Sequence, residues 1–184
     1  MKEHTFTYKI SAEDYLTHQL FGASMNQIVK GQRKKGLLLW TSAFFVLAII
    51  FLFLGNYALA AYFGIFGVGF IFIYPIYSRW IYKRYYKRFV YRNFNKTKLE
   101  TIGLKFSTTD IVLSNGKNEG GIPISEIEII YEIPSHYFIK LDRGRNIIIP
   151  KSQVEAKDIL AKNIMDLAEN HSIPFEKMLD WKWR

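Results

Sequence analysis

LLLWTSAFFVLAIIFLFL, residues 37–54, and ALAAYFGIFGVGFIFIYPIY, residues 58–77, decide the fold. At ~1.5 Å of rise per residue, either stretch wound as a helix can cross a hydrocarbon core ~30 Å thick, the first with a residue or two added at its ends. From residue 36 to residue 78 there is no Asp, Glu, Lys, Arg or His, and an aqueous domain seldom runs that far without a charge on a solvated face. Gly55, Asn56 and Tyr57 lie between the two stretches, a turn-forming set that lets two helices reverse direction. The reading is a transmembrane helical hairpin. A signal peptide competes, because Lys30, Arg33, Lys34 and Lys35 precede the first run and Ala58-Leu-Ala60 mimics a cleavage site. It fails because about thirty patterned residues come before the basic cluster and a second span follows at once.

Charge is distributed around this hairpin. The net +9 of the 184-residue chain resolves into +3 for residues 1–36, 0 for 37–78, +8 for 79–98 and −2 for 99–184, where eleven cations face thirteen anions. Four Lys/Arg precede the first span and Arg79, Lys83, Arg84, Lys87 and Arg88 follow the second, against none in the turn, so the positive-inside rule places both termini in the cytoplasm. Trp40, Tyr57, Tyr74, Tyr77 and Trp80 fall where an aromatic belt would sit. No ionisable side chain lies inside the spans, which disfavours a transporter or channel. The pieces expected are residues 1–36 (strand and amphipathic helix), 37–78 (hairpin), 79–100 (basic juxtamembrane helix) and 101–184 (cytoplasmic domain).

Within the aqueous pieces, Phe6, Tyr8 and Ile10 alternate with Thr5, Thr7 and Lys9, the period-2 pattern of a half-buried strand. Ser11-Ala-Glu-Asp14 reads as a capping box opening a helix with Leu16, Leu20, Phe21, Ala23, Met25 and Ile28 on its apolar side. After the second span, Tyr82, Tyr85, Tyr86 and Phe89 share one side of a helix whose other side carries Arg79, Lys83, Arg84, Lys87, Arg88 and Arg92. These six cations are the candidate contacts for anionic lipid headgroups of the inner leaflet, each worth ~1 kcal/mol when held near the surface. A patch pressed to a bilayer is poorly placed for a duplex, so nucleic acid is not an expected partner.

From Thr101 the pattern turns to short strands: 102–107, 110–114, 120–124, 126–132, 137–141 and 146–149. Breaks at Asn115-Gly-Lys-Asn118, Pro134-Ser135 and Asp142-Arg-Gly-Arg145 separate them. Ser152-Gln-Val-Glu155 reads as a second capping box, for a helix with Ala156, Leu160, Ile164 and Leu167 on one face that stops near Asn170. Strands followed by one amphipathic helix predict an α+β chain ending in a small β-barrel or sandwich capped by a helix.

The chain resembles the YcxB-like proteins, which pair a two-span hairpin with a bacterial pleckstrin-homology-like domain. Ser11-Ala-Glu-Asp-Tyr15, the two spans, Ile122-Pro-Ile-Ser-Glu-Ile127 through Glu132, and Ile147-Ile-Ile-Pro-Lys151 carry the resemblance. Where the family often has Trp before the Ser, Ile124 precedes Ser125 here. The resemblance implies a seventh strand, and Phe6, Tyr8 and Ile10 are expected to supply it by pairing with the later sheet across the hairpin.

Chemistry is sparse. Zero cysteines exclude disulfides, thiolate metal sites and a thiol nucleophile, and His4, His18, His136 and His171 show no HExxH spacing, so neither metal nor cofactor is expected. His136 reads as a surface turn residue. Glu126 and Glu128 read as one solvated strand face rather than an acid/base pair. Arg143 and Arg145 could hold a phosphate or a partner from the 142–145 turn. The expected function is a non-catalytic binding or scaffold module fixed at the cytoplasmic face of a bacterial inner membrane, with anionic lipid and an unidentified protein as partners. Two alternatives stand beside it. One is an immunity protein against membrane-active peptides, a role the resemblance suggests; the other is a lipid-acting enzyme, for which no polar constellation is found.

Overall fold

A computed structural model describes residues 4–94, 101–115 and 118–183. Two compact units emerge: one built from residues 1–18 and 90–182, the other from residues 19–89 and 183–184. This partition differs from the division by linear segments, because chain on both sides of the hairpin contributes to one unit.

The first unit is dominated by β structure. Strand β1 (Thr5–Lys9) pairs antiparallel with β2 (Thr101–Phe106), which continues through β3 (Asp110–Ser114) to β4 (Glu119–Pro123) in a four-stranded sheet. The register sets Phe6 opposite Leu104 and Tyr8 opposite Ile102, and Phe6 and Tyr8 are buried while Thr5, Thr7 and Lys9 are exposed. The alternation of β1 is thus used as read, with its apolar face turned into a core.

A second sheet runs β7 (Asn146–Pro150), β6 (His136–Leu141), β5 (Ile127–Glu132), β8 (Phe175–Lys177). Among the described residues no pairing joins the two sheets into a closed barrel, so the barrel alternative gives way to two open four-stranded sheets. β8 is not anticipated by the sequence pattern. It is three residues long, too short to show a period, and it runs parallel to β5, with Pro174 accepting the amide of Ile130 at 2.9 Å. Ile130, Ile139, Ile149, Leu104, Ile111 and Phe138 are fully buried, and in β6 and β7 burial is nearly continuous instead of alternating.

Turn chemistry closes the hairpins. Asn115 accepts the Asn118 amide through its side chain and donates its own amide to the Asn118 carbonyl; Gly116 and Lys117 of that turn lie outside the described residues. In the 142–145 turn, Arg143 (φ 54°) and Gly144 (φ 76°) both take left-handed backbone, a cost the glycine avoids and the arginine bears.

Helix α1 (Ala12–Met25) opens on the expected capping box: the Ser11 amide and hydroxyl both donate to Asp14 Oδ2 at 2.7 Å, and the Asp14 amide donates to Ser11 Oγ at 3.3 Å. Leu16, Leu20, Phe21 and Ala23 are buried, but Ile28 is 70% exposed. The helix breaks at Asn26, whose Oδ1 accepts the amides of Ile28 and Val29 and so starts a new one. The final helix, α4 (Lys157–Asn170), begins later than the Ser152–Glu155 pattern predicts. Gln153 donates to Pro150 O in a turn and Val154 is buried there, so residues 151–156 are held outside helical geometry and Ala156 caps without a side chain. Leu160, Ile164 and Leu167 form its buried face, together with Asn163 and Ala168.

The second unit is an antiparallel helix pair. α2 (Gln27–Phe53) and α3 (Tyr57–Asn93) are both long and apolar enough to cross a membrane. Gly55, at φ 72°, turns the chain, and Asn56 caps α3 by accepting the Leu59 amide. Phe51 stacks on Phe63 and Phe44 meets Phe70, so residues rising along α2 meet residues falling along α3. The basic segment expected as a separate helix over 79–100 is the continuation of α3 as far as Asn93, and residues 95–100 lie outside the described residues.

Candidate functional site

Arg79, Lys83, Arg84, Lys87, Arg88 and Arg92 are all exposed on α3. Lys83, Arg84 and Lys87 gather with Trp80 around one hollow, and the Arg84 guanidinium carbon stands 5.2 Å from the Trp80 ring centre, a cation–π contact. The aromatic side of the helix differs from the expected one. Tyr85 and Phe89 are exposed, while the inward stripe is Tyr74, Ser78, Tyr82 and Tyr86, spaced four residues apart. Ser78 is only 2% exposed, a polar side chain on neither of the two sides read from the sequence.

Ser78 is buried because it has a partner. Arg33 of α2 donates from Nε to Ser78 Oγ at 3.0 Å. The guanidinium also lies 5.9 Å from the Tyr82 ring centre and 5.4 Å from that of Trp183, and Trp183 Nε1 donates to the Arg79 carbonyl at 3.1 Å. Trp183 is therefore held on the helix pair; Arg184 lies outside the described residues. On α2, Lys30, Arg33, Lys34 and Leu37 follow at i, i+3, i+4 and i+7, one face of the helix. That face and Tyr74, Pro75 and Ser78 of α3 line a cleft of about 240 Å³. Gly36 leaves room beside it: a Cβ there would displace the Tyr74 hydroxyl. The sequence marked these α2 cations as flanking charges; what it could have shown, through their spacing, is that they share a face.

The 142–145 turn carries less available charge than its two arginines suggest. Arg145 is ion-paired with Glu126 and, at 3.0 Å, with Asp142, while Arg143 stands 3.7 Å from Asp142 and is largely exposed. Glu128 pairs with Lys140 and Glu132 with Lys151 at 2.7 Å. Glu126 lies in a single helical turn and a bulge separates Ile127 from Ile129, so Glu126 and Glu128 are drawn to different cations.

His136 is a correction: it is 5% exposed rather than a surface turn residue. The tight β5–β6 turn, closed by the Ile133 amide on the His136 carbonyl, brings the ring inward. Nε2 donates to Asp14 Oδ1 at 2.9 Å and Nδ1 meets Ser135 Oγ at 2.7 Å. Burial alone would raise the Asp14 carboxyl, but hydrogen bonds from His136 and from the Ser11 hydroxyl and amide, with attraction to His136, outweigh it and hold the group below its usual range. Nearby His18, edge-on to Phe138 at 5.2 Å, is pushed below its ordinary value by burial and by the His136 charge, against a hydrogen bond with Asn146. Among the described residues no group of three or more His, Asp or Glu is placed to hold a metal.

No curated protein matches the chain. The family model described as YcxB-like protein matches residues 106–162. That stretch runs from the end of β2 into α4 and contains both the 122–132 and the 147–151 motifs, while Ser11–Tyr15 and the two spans lie outside it. Over residues 106–162 the chain is similar to the YcxB-like proteins, the resemblance its strand and turn motifs carry.

Proposed function

We propose that this chain is a non-catalytic binding module anchored by its helix pair in a bacterial inner membrane, with both termini and a pleckstrin-homology-like domain on the cytoplasmic side. The apolar surface of the helices carries the reading. Only 6% of the apolar window of α2 and 11% of that of α3 are buried, whereas the core helix of a water-soluble domain is mostly covered. Side chains such as Phe53, Leu38, Ile65, Phe72 and Ile76, all more than half exposed, need a lipid solvent. The lysines and arginines at the open end of the pair, with none in the 55–57 turn, support the orientation. Two open sheets and a C-terminal helix suit a pleckstrin-homology-like sandwich. A binding role fits carboxylates that are each engaged by a cation, as Glu126, Glu128, Glu132 and Asp142 are.

The cysteine-free sequence makes the orientation directly testable. A membrane-impermeant maleimide is expected to label an Asn56→Cys variant in spheroplasts, and a Glu155→Cys variant only after permeabilisation. Labelling of the Glu155→Cys variant from outside, or release of the wild type by alkaline carbonate, would overturn the reading.

A further inference from the structure

We propose that the cleft between α2 and α3 at Lys30, Arg33, Lys34 and Ser78 binds the phosphate of one anionic phospholipid. This site presupposes the membrane reading and adds to it a stoichiometric ligand, held apart from the exposed cations of α3. Three cations stand on one helix face, and no described carboxylate pairs with Lys30 or Lys34. Like charges so spaced repel; a bound anion removes that cost.

Arg33 is oriented before any ligand arrives. Its Nε is fixed on Ser78 Oγ at 3.0 Å, and the rings of Tyr82 and Trp183 stand 5.9 and 5.4 Å from the guanidinium carbon. A planar guanidinium held in this way recognises phosphate oxygens with geometric specificity, which two flexible lysines beside it supplement as point charges. Tyr74 is seated across the helix pair because Gly36 has no Cβ to displace it.

The ligand is amphipathic because the cleft is. Leu37 and Pro75 line it together with the cations, and Leu37 opens the uncharged run of the first span. The phosphate of a lipid can meet the lysines and the arginine while its glycerol and chains follow the apolar surface, as basic pockets between membrane helices do for acidic headgroups. A free phosphate uses only half of this site.

The test is native mass spectrometry of the full chain in non-ionic detergent with added phosphatidylglycerol or phosphatidylcholine. One phosphatidylglycerol per chain is expected to stay bound to the wild type, and phosphatidylcholine is expected to be lost. Arg33→Lys keeps the charge and removes the Nε donor; it should weaken retention about tenfold. Ser78→Ala, which keeps every charge, should act in the same direction, and it decides the matter if Arg33→Lys has lost helicity by circular dichroism. Wild-type retention by both variants means diffuse attraction and overturns the site. A thermal shift from inorganic phosphate as large as that from phosphatidylglycerol overturns the lipid assignment. Carbonate-resistant membrane association, scored on the same wild type, tests anchorage separately: if it persists while no lipid is retained, the site fails and the membrane reading stands.

Discussion

Asp14 is the residue on which the two ends of the β unit meet. It closes the capping box of α1 through Oδ2 and accepts the His136 ring on Oδ1, so one carboxylate satisfies a helix start and a buried imidazole together. Its folded-state pKa is lowered, so its contribution to stability is present above the unfolded value of about 3.8 and is lost as pH falls through the folded value. His18 is also depressed, from 6.5, because the fold favours its neutral form. Its contribution is complete above pH 6.5 and declines as the pH drops from there toward the lower folded value. The melting temperature is therefore expected to begin falling near pH 6.5 and to fall again below about pH 4. His18→Gln should flatten the first decline. Asp14→Asn should flatten the second and cost about 1–2 kcal/mol at neutral pH, because the introduced amide could accept from His136 but carries no charge. A wild-type melting curve indifferent to pH between 7 and 5, measured by circular dichroism, would refute the His18 part.

At the scale of elements, β1 is the strand whose removal the rest cannot absorb. Phe6 sits 6.0 Å from Phe106 in an edge contact and, like Tyr8, is 3% exposed; burial of Phe6 and of Ile10 stabilises by ~1.5–3 kcal/mol each, a large part of the stability of a small domain. Phe6→Ala is expected to cost about 3–4 kcal/mol in thermal or urea unfolding, against less than ~0.5 kcal/mol for exposed Thr5→Ala. Equal effects would mean that β1 is not part of the core. This strand was legible from its alternation, and so were β2 to β7 to within a residue of their bounds, with Asn-Gly, Pro-Ser and Asp-Arg-Gly marking the breaks after β3, β5 and β6. What could not be read depended on distant partners. His136 looks like a turn residue until Asp14, on the far side of the hairpin in sequence, is placed against it. Ser78 looks like any small polar residue near a span until Arg33 reaches it. The start of α4 was not legible because a local capping signal at Ser152 lost to burial of Val154, and β8 was not because three residues carry no period.

For the whole molecule, sequence order and structural unit do not coincide: the helix pair is an insertion between β1–α1 and β2, within a unit made of residues 1–18 and 90–182. A fragment that begins after the hairpin therefore lacks its first strand, and the β2 edge that pairs with β1 is left as an open ladder of amides and carbonyls, a template for association. Replacing the hairpin should cure this defect. A chain in which residues 4–25 are joined to residues 90–182 by a long Gly/Ser linker keeps β1, the capping box, Asp14 opposite His136, both sheets and α4, and removes most of the apolar surface that calls for lipid. It is expected to be soluble without detergent and to unfold in one cooperative transition, whereas residues 90–182 alone should aggregate. If the shorter fragment is as soluble and as cooperative as the joined chain, β1 is dispensable to the β unit. If the joined chain binds a hydrophobic dye and melts without a transition, the β unit depends on the helices for its fold.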